Sequence, residues 1–166
     1  MLFRSQNGLE YLDALYNSIS KGSAYYIPKV QEETDAFEGS DIDVTLTMGD
    51  AKQAGQTALL FQKGGALVNV AGDSLRISGD LADILQNSLT DADKMYHNQG
   101  EAVSAKYGYN ERQALFNWWK ALHGMDKALS KQKQFKEAKV VSVVVKKAVE
   151  PSYNYYGIEP QKITDQ

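Results

Sequence analysis

Asp41-Ile42-Asp43-Val44-Thr45-Leu46-Thr47-Met48 alternates polar with apolar residues, the period-2 pattern of a strand with one buried face. Over Asp50 to Lys63 the period changes: Ala54, Ala58, Leu59 and Phe61 fall near helical spacing, and Gly64-Gly65 supplies a stop. Alternation returns at Val68, Val70, Leu75 and Ile77, on either side of Ala71-Gly72-Asp73-Ser74, a hairpin turn. Asp80 is placed to cap a further helix whose Leu81, Ile84, Leu85, Leu89, Ala92 and Met95 share one face. Residues 41–97 therefore read as a β-α-β-β-α unit. The expected fold class is α+β, a small three-stranded sheet framed by long N- and C-terminal helices. A crossover through the Asp50–Lys63 helix should make the first two strands parallel, and the hairpin should set the third antiparallel to the second. That order begins a split βαβ unit, with Val140–Val145 the one stretch able to supply a fourth strand.

Outside this unit the pattern is helical. Leu9, Leu12, Leu15, Tyr16 and Ile19 form a stripe from Gly8 to Ser20, ended by Lys21-Gly22, with the glycine suited to a left-handed cap. Pro28 can open a second helix reaching about Phe37. Breaks follow at His97-Asn98-Gln99-Gly100 and Tyr107-Gly108-Tyr109. Asn110 with Gln113 forms a capping box for a helix carrying Leu115, Trp118, Leu122, Met125 and Leu129 on one face, with Trp119 beside them. Gln134 to Glu150 has β-branched residues but fits a helix stopped by Pro151, and Ser152 to Gln166 reads as an irregular tail. The chain is expected to be one domain: a helical part over 1–40, the unit at 41–97, a helical part over 98–150 and a tail over 151–166.

Composition excludes several function classes. The 166 residues, 43% hydrophobic and 23% charged, are enough to bury a sizeable core. A net charge of −3 argues against a dedicated nucleic-acid binder. Residues 1–100 hold 7 Lys/Arg against 14 Asp/Glu and residues 101–166 hold 11 against 7, an acidic part and a basic part. With no cysteine there is no disulfide, zinc–thiolate site or thiol nucleophile. No apolar run approaches the roughly 20 residues that span a bilayer, and Met1-Leu2-Phe3-Arg4-Ser5 is no signal peptide.

Catalytic chemistry is thinly supplied. His97 lies four residues after Asp93, so the two can face one way on a helix, and His123 could in principle join them at a metal, but no ligand motif is present and no metal is expected. Asp41 and Asp43 share a strand face behind Glu32, Glu33, Asp35 and Glu38, which reads as a solvated acidic run. Gly64-Gly65 and Gly72 lack the order of a phosphate loop, no G-x-S-x-G elbow occurs, and no cofactor is implied. What remains is aromatic. Tyr107, Tyr109, Phe116, Trp118 and Trp119 crowd one helix start, and Tyr153, Tyr155 and Tyr156 the C-terminal end, which is expected to dock on the body. Tyr107, Tyr109, Trp118, Trp119 and His123 are the expected ligand-binding residues if the domain has an aromatic-lined pocket.

Gly8-Leu9-Glu10-Tyr11-Leu12-Asp13-Ala14-Leu15-Tyr16-Asn17-Ser18-Ile19-Ser20, Asn117-Trp118-Trp119-Lys120-Ala121-Leu122 and Tyr153-Asn154-Tyr155-Tyr156-Gly157-Ile158-Glu159-Pro160 together resemble small bacterial membrane-anchored proteins of uncharacterised function. In those, a soluble extracytoplasmic domain lies between an N-terminal and a C-terminal membrane helix. The resemblance implies membrane attachment through segments outside this chain and a periplasmic setting, and it brings no catalytic or ligand residue. The function expected from it is a non-catalytic sensor or interaction module with a protein or small-molecule partner. The alternative is a small-molecule-binding or catalytic domain, cytoplasmic if unanchored. An anchored domain should bring the first helix and Tyr153–Ile158 together, with Phe3 and Tyr11 in an aromatic rim at the headgroups.

Overall fold

The computed structural model describes residues 5–159, with side chains from Leu12 onward. The order is α1 (Ser5–Ser23), α2 (Ile27–Asp35), β1 (Asp41–Thr47), α3 (Ala51–Lys63), β2 (Leu67–Ala71), β3 (Ser74–Asp80), α4 (Leu81–Tyr96), α5 (Gly100–Tyr107), α6 (Glu111–Lys131), α7 (Phe135–Val144), a π-helical turn (Val145–Val149) and α8 (Glu150–Tyr155). The fold is α+β, as the periods of 41–97 require.

The sheet has the order β1-β3-β2. Both outer strands pair antiparallel with β3, Val44 facing Ile77 on one side and Val68 facing Ile77 on the other. β1 and β2 thus run in the same direction, as the crossover demands, but share no hydrogen bonds because β3 is inserted between them. This is the split arrangement. Among the described residues no fourth strand joins it: Val140–Val145 is helical up to the π-turn. Alternation holds along β1, where Ile42, Val44, Leu46 and Met48 are buried and the intervening residues exposed. It weakens along β2, an edge strand: Val70 faces Leu75 yet stays 45% exposed at the rim.

Caps locate the helices around this sheet. Asp50 accepts from the Gln53 N–H at 2.8 Å to start α3, and Asp80 from the Ala82 N–H at 2.8 Å to start α4. The other Asp80 oxygen takes the Gly39 N–H at 2.7 Å, which ties the loop before β1 to the end of β3. α6 lies against β1, and Gly124 permits the approach, since a Cβ there would sit 3.3 Å from Leu46 Cδ2. Phe61, Leu75, Ile77, Leu85, Leu115 and Trp118 form the centre of the core, all fully buried.

Two expectations at the chain ends need correction. Gly22 caps nothing, since α1 runs on through Ser23. Pro151 does not stop the preceding helix, and the start of the expected tail is the helix α8. The Glu150 N–H bonds the Val145 carbonyl five residues back, opening a wider turn. Proline has no N–H to leave unpaired, and its ring would press on the Lys147 carbonyl in a regular α-helix; the wider turn accommodates it.

The two ends meet. Buried Lys21, in the last turn of α1, donates through Nζ to Asn98 Oδ1 at 3.1 Å, to the Tyr155 carbonyl at 2.9 Å and to the Ile158 carbonyl. An ammonium there also faces the negative end of α8. Burial pushes the Lys21 pKa below the ordinary lysine range, against the charge of Glu159. Asn98, held at a φ of 59°, receives the Gly157 N–H at 2.6 Å and donates to the Ile158 carbonyl at 3.1 Å. Phe3 and the side chain of Tyr11, expected in an aromatic rim, lie outside the described residues.

Candidate functional site

α6 carries the expected site residues and sorts them by face. Asn110 starts it by accepting from the Arg112 and Gln113 N–H groups at 2.8 and 3.2 Å. Gln113 does not return the capping-box bond; its amide donates instead to Asn117 Oδ1 at 2.8 Å. From this start, Trp118 points into the core, Asn117 points toward α3, and Trp119 points outward.

The inward face ends on a carboxylate. Asp91 on α4 is 1% exposed. One of its oxygens accepts from Trp118 Nε1 at 2.8 Å and from the Tyr107 hydroxyl, and the other accepts from Lys106 Nζ at 2.8 Å. Lys106 also reaches Asn87 Oδ1 at 2.6 Å, and the Asn87 amide donates to the Tyr107 oxygen at 3.0 Å. Burial, the charge of Asp91 and the hydrogen bond to it all raise the Tyr107 pKa above the usual phenol value. Each oxygen of the carboxylate is already met by donors, and the geometry is that of a satisfied buried network.

The second face is an amide cluster. Fully buried Asn117 donates to Gln56 Oε1 and to the Tyr109 oxygen, both at 3.2 Å, and accepts from Gln53 at 3.0 Å as well as from Gln113. Tyr109 donates to the Gln56 carbonyl at 3.1 Å, and burial pushes its pKa up to about 12.

The outward face is different in kind. Phe116, Trp119 and His123, at steps of three and four residues, form a row: the Trp119 ring lies 5.9 Å from Phe116 and 5.2 Å from His123, at interplanar angles of 25° and 12°. Trp119 Nε1 donates to Glu150 Oε2 at 2.9 Å, across to the first residue of α8. Phe116, Trp119, Glu150, Tyr153 and Asn154 line an open pocket of about 280 Å³.

The five expected residues therefore do not line one pocket. Trp118 and Tyr107 serve the buried network, Tyr109 the amide cluster, and Trp119 and His123 the outer row, of which Trp119 alone lines the pocket. Sequence reading missed Glu150, which has no spacing relation to α6 and arrives there through the π-turn. It named Phe116 and Tyr153 only as members of aromatic groups; the three-residue step from Phe116 to Trp119 was the available signal.

The remaining candidates are occupied by near neighbours. Asp93 and His97 do face one way: His97 Nδ1 lies 2.9 Å from the Asp93 carbonyl and 3.3 Å from its carboxylate, which also takes the Tyr25 hydroxyl at 2.5 Å. His123 is stacked on Trp119, and no group of three metal-ligating residues converges among the described residues. Asp43 is held by Arg76 through two bonds of 2.7 and 3.0 Å on the exposed sheet face, which keeps its carboxyl below the usual range. Among the described residues no helix is long and apolar enough to cross a membrane. The chain matches no protein-family model, no curated protein and no solved structure.

Proposed function

We propose that this chain is a non-catalytic sensing or interaction domain, held at the extracytoplasmic face of a bacterial membrane by segments outside it. The observation that carries this reading is the junction of the two ends. Lys21 fastens the last turn of α1 to the Tyr155 and Ile158 carbonyls, and Asn98 holds the same segment, so the base of α1 lies beside the C-terminal segment on one side of the body. Over residues 12–17 α1 is exposed: Leu12 and Tyr16 are 57% and 71% exposed, and Leu15 37%. An apolar stripe kept in water on a terminal helix is unfavourable unless something else covers it, and continuation toward a bilayer supplies that cover. The engagement of Asp91, Tyr107 and Lys106 with one another supports the non-catalytic part of the reading.

Membrane fractionation of the natural gene product tests it. An anchored protein stays with the membrane through alkaline extraction, and added protease digests this domain from the periplasmic side only. Recovery in the soluble fraction, or digestion only from the cytoplasmic side, refutes the reading.

A second reading, a small-molecule-binding domain, is favoured by the solvent-open pocket of Phe116, Trp119, Glu150, Tyr153 and Asn154. A thermal-shift screen against metabolites checks it, because a ligand at a hundred times its dissociation constant adds about 2.7 kcal/mol. At roughly 2–4 °C per kcal/mol for a chain of this size, a binder raises the midpoint by about 5–11 °C. No shift with any compound refutes it.

A further inference from the structure

We infer that the pocket between α6 and α8 binds a small alkylammonium cation, the quaternary or methylated amine of a choline-type group. The inference rests on the ligand-binding reading and specifies its chemistry.

Three observations converge on a cation. The walls are aromatic: Phe116 and Tyr153 expose 38% and 37% of their surface and supply the ring faces, while Trp119, stacked between Phe116 and His123, fixes Phe116 and turns its N–H to Glu150. Ring faces carry negative potential, and a cation lying on them is favoured over a neutral group of equal size. The second observation is charge. Glu150 lines the same pocket, is fixed there by the Trp119 N–H through one oxygen, and among the described residues forms no ion pair. No lysine or arginine lines the pocket, and the neighbouring Lys147 is directed elsewhere, with its Nζ 5.9 Å from the Tyr26 ring centre. The third is size. About 280 Å³ lies just under the range of drug-sized sites, roughly 300–1,000 Å³, and suits a headgroup-sized ligand.

The π-turn builds this arrangement. Val145 to Val149 inserts a wide turn immediately before Glu150. One extra residue rotates everything after it by about 100° around the helix axis, which re-aims Glu150 and Tyr153 relative to α7.

The test uses the two tryptophans as site and control. Each indole N–H gives its own NMR signal; that of Trp119 reports on the pocket, and that of Trp118, bonded to Asp91, reports on the core. Titration with choline should shift the Trp119 signal and leave Trp118 in place. The neutral isostere 3,3-dimethylbutanol should bind about twofold to thirtyfold more weakly, the range that a cation on an aromatic face contributes. Glu150→Gln, which keeps an acceptor for Trp119, should weaken choline by about twofold to fivefold and leave the isostere unchanged. Co-sedimentation with phosphatidylcholine and phosphatidylglycerol vesicles separates the sources. Retention on phosphatidylcholine alone assigns a lipid headgroup, and choline binding without retention assigns a free solute; both uphold the inference. Equal binding of choline and the isostere overturns the cation while keeping a ligand pocket. No shift with either, at up to about 100 times the concentrations typical of weak sites near 1 mM, overturns the inference and the ligand-binding reading together.

Discussion

Replacing Asp91 by alanine removes the acceptor on which three interior donors converge. Trp118 and Tyr107 are 0% and 5% exposed, so neither the indole N–H nor the phenol O–H can turn to water. A buried donor left without a partner costs about 1–3 kcal/mol, which gives roughly 2–6 kcal/mol for the two. Lys106 adds little, because its side chain is 28% exposed and can swing into solvent. A central value of about 4 kcal/mol agrees with the 3–5 kcal/mol typical of breaking a buried charged pair. For a chain of this size that lowers the melting temperature by about 8–16 °C. Asp91→Asn separates the contributions: its carbonyl can keep Trp118 and Tyr107 while its amide faces Lys106, for a loss of about 1–2 kcal/mol. Urea denaturation followed by tryptophan fluorescence measures both variants. A loss below about 1 kcal/mol for Asp91→Ala, or equal losses for the two variants, would refute the assignment of the network as a structural centre.

The other predictions are narrower. Tyr96 and Tyr109 are pushed up to about 12, and Tyr25 and Tyr107 are raised as well, burial being the main cause. The folded chain then holds protons that the unfolded chain releases near pH 10; this stabilisation is complete below that pH and is lost as pH rises toward the folded values. Ultraviolet titration should show these four tyrosines ionising only as the fold is lost, and ordinary phenolate titration of all ten would contradict it. Lys21→Met should loosen residues 155–159, which Asn98 and Ser18 still hold, accelerating hydrogen exchange there about tenfold to a hundredfold, from roughly 1.5–3 kcal/mol of charge-assisted bonding, with the sheet unaffected. In Gly100→Ala the new Cβ would overlap the Tyr156 ring and hydroxyl, breaking the 2.7 Å bond to Glu111 and the stacking of Arg112. The gain in helix propensity, up to about 1 kcal/mol, offsets part of that loss, so faster proteolysis of the C-terminal segment is the expected readout.

How far the fold was legible depended on what each element packs against. Ile42, Val44, Leu46 and Met48 alternate because one sheet face meets α6 and the other meets water, and that asymmetry is written along the chain. The capping roles of Asp80 and Asn110 were readable for a similar reason, each acting within three residues of its position, and Asp50 caps α3 by the same local bond. Insertion of β3 between β1 and β2 has no signature within any one strand, and was legible only through the element order that begins a split βαβ unit. Pro151 misled because a stop signal is overridden when the preceding turn widens. The site was legible by residue type and not by grouping. Trp118 and Trp119 are adjacent in sequence and therefore about 100° apart on α6, so one went to Asp91 and the other to Glu150, and only the second partner makes an open pocket.

The fastening of α1 to residues 155–159 also decides how the domain bears load. Tension drawn between α1 and the C-terminal segment meets a small cluster of bonds first: Ser18 to the Glu159 carbonyl, Lys21 to the Tyr155 and Ile158 carbonyls, and Asn98, itself bonded by Lys21, to Gly157 and Ile158. The three strands, at residues 41 to 80, lie off that path, as does the core around Trp118. A pull would undo a handful of hydrogen bonds in sequence, peeling the C-terminal segment away while the body stays folded. The mechanically weak point of the molecule is thus separated from its thermodynamic centre, and a stretched chain would lengthen at its ends without losing the sheet, the core or the pocket wall on α6.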